Sequence, residues 1–77
     1  MSEKLPAVKP TKLIRVLEQK GWKVDRIRGS HYILVHEAER RTVPVPVHRR
    51  DLKTGTLAAV LRIAGISRDE FRELLKR

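Results

Sequence analysis

Apolar residues early in the chain recur at the three- and four-residue spacing of a helix. They are Leu13, Ile14, Val16 and Leu17. Pro10 is compatible with a first helical turn, where its missing N–H would have no partner in any case. Gly21 follows at a position where helices commonly stop. The pattern therefore predicts a first helix over about residues 10–20.

From residue 22 the spacing changes to the two-residue alternation that is typical of a half-buried strand. Three strands are predicted, at residues 22–28, 31–36 and 41–47. Gly29-Ser30 suits the hairpin turn between the first two strands, because glycine tolerates positive φ. A charged turn at 37–40 precedes the third strand. Ile27 falls out of phase with the alternation, which indicates a bulge or a twist near the hairpin turn.

The third predicted strand carries two prolines, Pro44 and Pro46, which cannot donate a backbone hydrogen bond. Residues two apart send their backbone groups to the same side of a strand, so both missing donors fall on one side. The intervening valines, at 43, 45 and 47, keep their N–H groups for a neighbouring strand and share one face. We expect this strand to form an edge of the sheet, with its proline side toward solvent.

The last part of the chain predicts two helices. Apolar residues at helical spacing run over residues 57–64. Ser67 and Glu70 then fit a capping box, and Ile66 and Phe71 fit a hydrophobic staple, so a second, short helix begins there.

The resulting order of elements, αβββα with a short extra C-terminal helix, indicates an α+β fold. The simplest packing is a three-stranded antiparallel sheet with the helices on one face. A chain of 77 residues is long enough for one core, so residues 1–77 are predicted to form a single domain. Residues 1–9 are predicted to be a flexible polar arm.

The net charge and the residue composition limit the classes of partner and of site that fit the chain. The chain has 18 lysines and arginines against 9 acidic residues, a net charge of +9, which suits a polyanionic partner such as nucleic acid or an acidic protein. There is no cysteine, which excludes disulfides and thiolate metal sites. No apolar run approaches the roughly 20 residues that cross a bilayer, and the first residues do not resemble a signal peptide. We therefore expect a cytoplasmic protein without a membrane partner.

His31 is the candidate for chemistry. It follows the predicted hairpin turn, and Arg26 and Arg28 precede that turn. Arginine can hold a phosphodiester while imidazole transfers a proton. A histidine beside a turn that has no function fits the same pattern. Alternation does not decide whether the face of His31 or that of Tyr32 is buried. No cofactor is expected, and a metal site is not indicated, since His31 and His36 point to opposite faces of a regular strand.

Four short elements in order support a more specific hypothesis. They are Gly-Trp at 21–22, Gly-Ser-His at 29–31, Val-Pro-Val-His at 45–48 and Gly-Thr-Leu at 55–57. In this order and spacing the chain resembles the HicA family, small toxins of toxin–antitoxin pairs. The resemblance implies a double-stranded-RNA-binding-like αβββα fold, cleavage of mRNA with His31 as the catalytic residue, and a HicB-type antitoxin as partner. Many members have a second histidine where this chain has Tyr32.

The functional hypothesis is thus a toxin ribonuclease that cleaves mRNA by metal-independent acid/base catalysis with His31. Its second proton-transfer group is open between Tyr32, Lys23, His48 and water. The predicted RNA-binding residues are Lys23, Arg26, Arg28, Ser30, Tyr32, His48, Arg49 and Arg50. Two alternatives fit the charge: a non-catalytic module that binds double-stranded RNA, and a basic adaptor for an acidic protein.

Overall fold

The structure is a computed structural model that describes residues 5–77, and its element order agrees with the sequence prediction. The elements are α1 (Pro10–Gln19), β1 (Lys23–Arg28), β2 (His31–His36), β3 (Arg41–Pro46), α2 (Thr54–Ala64) and α3 (Arg68–Leu75). The three strands form one antiparallel sheet in the order β1-β2-β3. The predicted αβββα fold with an additional C-terminal helix is confirmed.

A bulge in β1 explains why Ile27 falls out of phase. Val24 pairs with Leu34 and Arg26 pairs with Ile33, so the intervening Asp25 is an extra residue on β1. An extra residue reverses the alternation of the strand beyond it. Ile27 therefore returns to the face of the sheet that carries Val24.

The proline-bearing strand β3 lies at an edge of the sheet, as predicted. Pro44 stands opposite Ile33 and is exposed, whereas Val43 and Val45 are fully buried. Their neighbour Val47 donates its backbone N–H to the carbonyl of Ser30, at 2.6 Å. The valines thus pack in the core and keep their backbone N–H groups for the neighbouring strand, while prolines on the outer side prevent a further strand from pairing.

The helices cover one face of the sheet. This face carries Leu34, Val43 and Val45, all completely buried, and both α1 and α2 contact β3. The other core residues come mainly from the apolar sides of the helices: Leu13, Ile14, Val16, Leu17, Leu57, Val60, Leu61, Phe71 and Leu74. No polar or charged residue is buried in the part of the chain that the structure describes. Among the described helices, none packs against the opposite face of the sheet.

The helix boundaries follow the local chemistry that the sequence predicts. The hydroxyl oxygen of Ser67 accepts a hydrogen bond from the backbone N–H of Glu70 at 3.1 Å, which begins α3 with the predicted cap. Ile66 and Phe71, the predicted staple, are both buried. Gly65 ends α2 in the left-handed conformation, at φ 73°.

His36 packs against the segment that connects α1 to the sheet. Its Nε2 lies 3.1 Å from the carbonyl oxygen of Lys20, and its ring packs edge-on against Trp22 with centroids 5.4 Å apart. Gly21 has φ 93°, and a Cβ at this position would lie only 2.9 Å from Nε2 of His36. Glycine is therefore required both by the backbone conformation and by the close approach of the imidazole.

Residues 5–9 pack against the domain instead of forming the flexible arm predicted for residues 1–9. Val8 is buried, and its carbonyl accepts a hydrogen bond from the backbone N–H of Leu52 at 2.9 Å. The physical reason is that Leu5 and Val8 are apolar and cover the core. Residues 1–4, the rest of the predicted arm, lie outside the described residues. Within residues 5–77 no helix has the length and apolar character needed to cross a membrane.

Candidate active site

His31 is the first residue of β2 and lies on the open face of the sheet. It follows the turn at Gly29, which has φ 57°, and it pairs directly with Arg28. Tyr32 packs against the core on the helix-covered face, so its neighbour His31 must point to the other side. The tertiary structure thus decides the question that alternation left open, and the imidazole is exposed.

The ring of His31 has no polar partner among the residues that the structure describes. It makes no hydrogen bond or ion pair with any other residue between 5 and 77, in contrast to the ring of His36, whose two nitrogens both have backbone partners. Both nitrogens of His31 can therefore accept or donate a proton at a bound ligand. This is the arrangement that general acid–base chemistry requires of an imidazole.

Arg28 provides positive charge beside the imidazole. Directly opposed residues on antiparallel strands have Cβ atoms about 5 Å apart and share a face, which puts the guanidinium on the open side with His31. Arg28 is exposed and forms no ion pair with another described residue. Arg26 lies on the same face, and its Nε is 3.3 Å from a carboxylate oxygen of Asp25, an exposed contact that solvent screens.

The segment after β3 joins the same end of the sheet. His31 pairs with Pro46 across β2 and β3, and the hydrogen bond from Val47 to Ser30 ties the end of β3 to the hairpin turn. The predicted contact residues that follow, His48, Arg49 and Arg50, are all exposed. A cavity of about 460 Å³ opens there, lined by Pro46, His48, Arg50, Asp51, Leu52, Lys53 and Thr56.

The chain also matches the model of a known protein family. The family model of the HicA toxin of bacterial toxin–antitoxin systems matches residues 11–66, from the first turn of α1 to just beyond α2. The chain belongs to the HicA toxin family. No curated protein matches it. Toxins of this family are generally ribonucleases that cleave mRNA, and the match covers the whole sheet, His31 and the segment after β3.

In this HicA toxin, two of the predicted contact residues lie away from His31. Lys23 pairs with Val35 at the far end of β1, and its ammonium group lies 3.1 Å from a carboxylate oxygen of Glu37. Tyr32 lies on the helix-covered face, half-buried. The structure therefore places Arg26, Arg28, Ser30, His48, Arg49 and Arg50 toward the His31 end of the sheet. Lys23 lies at the other end, and Tyr32 lies on the other face.

Contacts from the N-terminal segment hold the loop after β3 in place, and the sequence did not predict them. The ammonium group of Lys9 donates to the carbonyl of Arg49 at 2.8 Å and lies 3.5 Å from a carboxylate oxygen of Asp51. The backbone bond between Val8 and Leu52 runs beside it. These partners are about 40 residues apart in sequence, and no local pattern signals such a contact.

The toxin's described residues offer no evident metal centre. Among residues 5–77, no three His, Cys, Asp or Glu side chains come close enough together to hold a metal ion. His31 and His36 stand at opposite ends of β2 and on opposite faces, so these two rings do not converge.

Proposed function

We propose that this HicA toxin is an endoribonuclease that cleaves mRNA without a metal ion, that His31 is its acid/base residue, and that a HicB-type antitoxin neutralises it. One observation carries the proposal: the exposed imidazole of His31 lies directly opposite exposed Arg28 on the open face of the sheet, and neither side chain has a hydrogen-bond or ion-pair partner among residues 5–77. Membership of a family of generally mRNA-cleaving toxins supplies the class of substrate.

The chemistry that suits these groups is attack by the ribose 2′-hydroxyl on the adjacent phosphorus. The 2′-oxygen forms a bond to phosphorus as it loses its proton, and the bond from phosphorus to the 5′-oxygen breaks as that oxygen gains a proton. The products are a 2′,3′-cyclic phosphate and a 5′-hydroxyl. His31 performs one of the two proton transfers, and the guanidinium of Arg28 offsets the negative charge that grows on the phosphoryl oxygens.

The second proton transfer needs another group, because one imidazole does not occupy both positions at the same time. The positions of the three candidate side chains favour His48. It follows β3 at the His31 end of the sheet, whereas Tyr32 lies on the helix-covered face and Lys23 at the other end of β1. Water remains the alternative to His48 for this step.

Binding of the RNA backbone is assigned to the cations that share this end of the sheet. Arg26, Arg49 and Arg50 are exposed; Arg26 shares the face of Arg28 on β1, and the other two follow β3 at the His31 end of the sheet. Ser30 adds a hydroxyl in the hairpin turn, next to His31. Lys23 and Tyr32 would contact RNA only where the bound strand continues past this end of the sheet.

The first experiment compares RNA cleavage by wild type and His31→Ala in the presence of EDTA. We expect wild type to remain active and to leave 2′,3′-cyclic phosphate ends, and the variant to lose about 10²–10⁴ in rate. The unfolding midpoint of His31→Ala should match that of wild type, because the ring is exposed and makes no hydrogen bond or ion pair within the described residues. A variant that cuts RNA at the wild-type rate would contradict the role of His31.

The antitoxin part is tested separately. The product of a small open reading frame adjacent to the toxin gene is purified and mixed with the toxin. We expect a stable complex in which cleavage is suppressed. Active toxin in the presence of excess bound partner would contradict neutralisation while leaving the catalytic proposal intact.

A further inference from the structure

We infer that the cavity after β3 is a second phosphate subsite, which holds a backbone phosphate of single-stranded RNA next to the phosphate that is cleaved. Lys53 and Arg50 are its cationic contacts. The inference rests on the proposed function and deepens it, because it states that the toxin holds its substrate at two or more consecutive phosphates and adds Lys53, at the start of α2, to the binding surface.

The charges that line the cavity favour an anion. Arg50 and Lys53 are both exposed, and neither forms an ion pair with another residue in the described range 5–77. The one carboxylate among the lining side chains belongs to Asp51, and the ammonium group of Lys9 lies 3.5 Å from it. Lys9 thus offsets the charge that would oppose a phosphate, and two positive charges remain available.

The position of the cavity favours RNA over another anion. Pro46 forms part of its wall and is also the cross-strand partner of His31, so the cavity begins about 5 Å, one strand spacing, from the candidate catalytic residue. A strand whose phosphate lies beside His31 and Arg28 can therefore continue directly into the cavity. Its volume of about 460 Å³ falls within the usual range of ligand sites and accommodates more than a phosphate group alone.

The loop that carries these cations is held in place. Its backbone is bonded to the N-terminal segment at two points, from Leu52 to Val8 and from Lys9 to Arg49. A fixed loop loses less conformational freedom when it binds a ligand, which favours binding. The side chain of Lys53 itself supports no cap of α2, so its replacement leaves these contacts unchanged.

The test is a scan of the RNA backbone with neutral linkages. A single-stranded oligonucleotide that spans a mapped cleavage site carries a 2′-deoxy residue at that site, which prevents attack. One phosphate at a time is then replaced by a methylphosphonate, which removes its charge. The affinities of wild type, Lys53→Gln and Arg15→Gln are measured by fluorescence anisotropy. Arg15 is the matched control, since it is an exposed arginine on α1, a helix on the covered side of the sheet.

We expect one linkage next to the cleavage site whose replacement weakens binding by wild type and by Arg15→Gln about fivefold, the effect of one exposed ion pair. The same replacement should have a smaller effect on Lys53→Gln, because one of the two cationic partners of that phosphate is already gone and only Arg50 remains. With the unmodified strand, the slope of log affinity against log salt should be smaller by about 0.7 for Lys53→Gln.

Two results would overturn the subsite. One is an equal loss for wild type and Lys53→Gln at every linkage, in a protein whose cleavage of RNA depends on His31. The other is unchanged RNA affinity of Lys53→Gln together with weaker binding of the antitoxin, which would assign the cavity to an acidic protein. A wild-type protein that neither cuts nor binds RNA would refute the proposed function as well.

Discussion

Replacement of Gly21 by alanine tests how α1 is joined to the sheet. The perturbation has two parts, because Gly21 has φ 93° and because an added Cβ would lie 2.9 Å from Nε2 of His36. The imidazole cannot move away freely. It packs against the ring of buried Trp22, bonds to the carbonyl of Lys20 and accepts the backbone N–H of Glu39.

The expected magnitude follows from these contacts. A left-handed backbone conformation costs alanine about 1 kcal/mol relative to glycine. Displacement of His36 adds about 0.5–1 kcal/mol for the bond to Lys20 and about 0.5–1 kcal/mol for the edge-on contact with Trp22. Gly21→Ala should therefore lower the free energy of unfolding by about 2–3 kcal/mol.

Gly29→Ala is the matched control. Gly29 also has positive φ, at 57°, but a Cβ added there meets nothing within 4 Å. Its substitution should cost only the backbone strain, about 1 kcal/mol. Urea unfolding followed by Trp22 fluorescence measures both changes. In a His36→Ala background the effect of Gly21→Ala should shrink to about that of Gly29→Ala, because the crowded ring is absent.

Equal losses for Gly21→Ala and Gly29→Ala would refute the steric part of this reasoning. An undiminished effect of Gly21→Ala in the His36→Ala background would refute it as well. Cleavage by the folded fraction of Gly21→Ala should remain normal, because Gly21 lies at the opposite end of the sheet from His31.

Three further predictions concern charge and capping. Arg28→Gln should lower the cleavage rate about 10-fold or more, because it removes a charge beside the reacting phosphate. The control Arg40→Gln, at the opposite end of the sheet, should cleave like wild type, and equal losses for the two variants would contradict the role of Arg28. Lys9→Gln should weaken RNA binding about two- to fivefold, because the charge of Asp51 is then no longer offset. Adding Asp51→Asn to this variant should restore the affinity in the same anisotropy assay, and no restoration would contradict the pairing of Lys9 with Asp51. Ser67→Ala should cost about 1 kcal/mol in urea unfolding through loss of the α3 cap, and an unchanged midpoint would contradict that contribution.

Local features of the fold could be predicted because their causes lie within a few residues. The cap at Ser67 depends on a contact with Glu70, three residues away, and the end of α2 depends on the freedom of Gly65 to adopt positive φ. The prolines of β3 are also a local cause, since each lacks a backbone N–H donor whatever strand lies beside it. These elements appear in the structure at the predicted places, within one or two residues.

The candidate site was only partly predictable. His31 and Arg28 stand out because the hairpin turn between them is short, so their pairing follows from local chain geometry. The placement of Tyr32 and Lys23 away from His31 was not predicted. Alternation gives each strand two faces, but only the packing of helices on Leu34 and its neighbours decides which face is buried.

Sequence alone therefore determined the order of elements, the cap of α3, the end of α2, the proline-protected edge and the charge that favours a polyanion, since each follows from the chemistry of neighbouring residues. Tertiary structure decided that His31 points to the open side of the sheet, that His36 is a structural contact of Gly21 and Trp22, and that Lys9 offsets Asp51 beside the cavity. Those outcomes depend on contacts between residues 14 to 42 positions apart, whose formation is governed by how the helices pack and not by any periodicity in the chain.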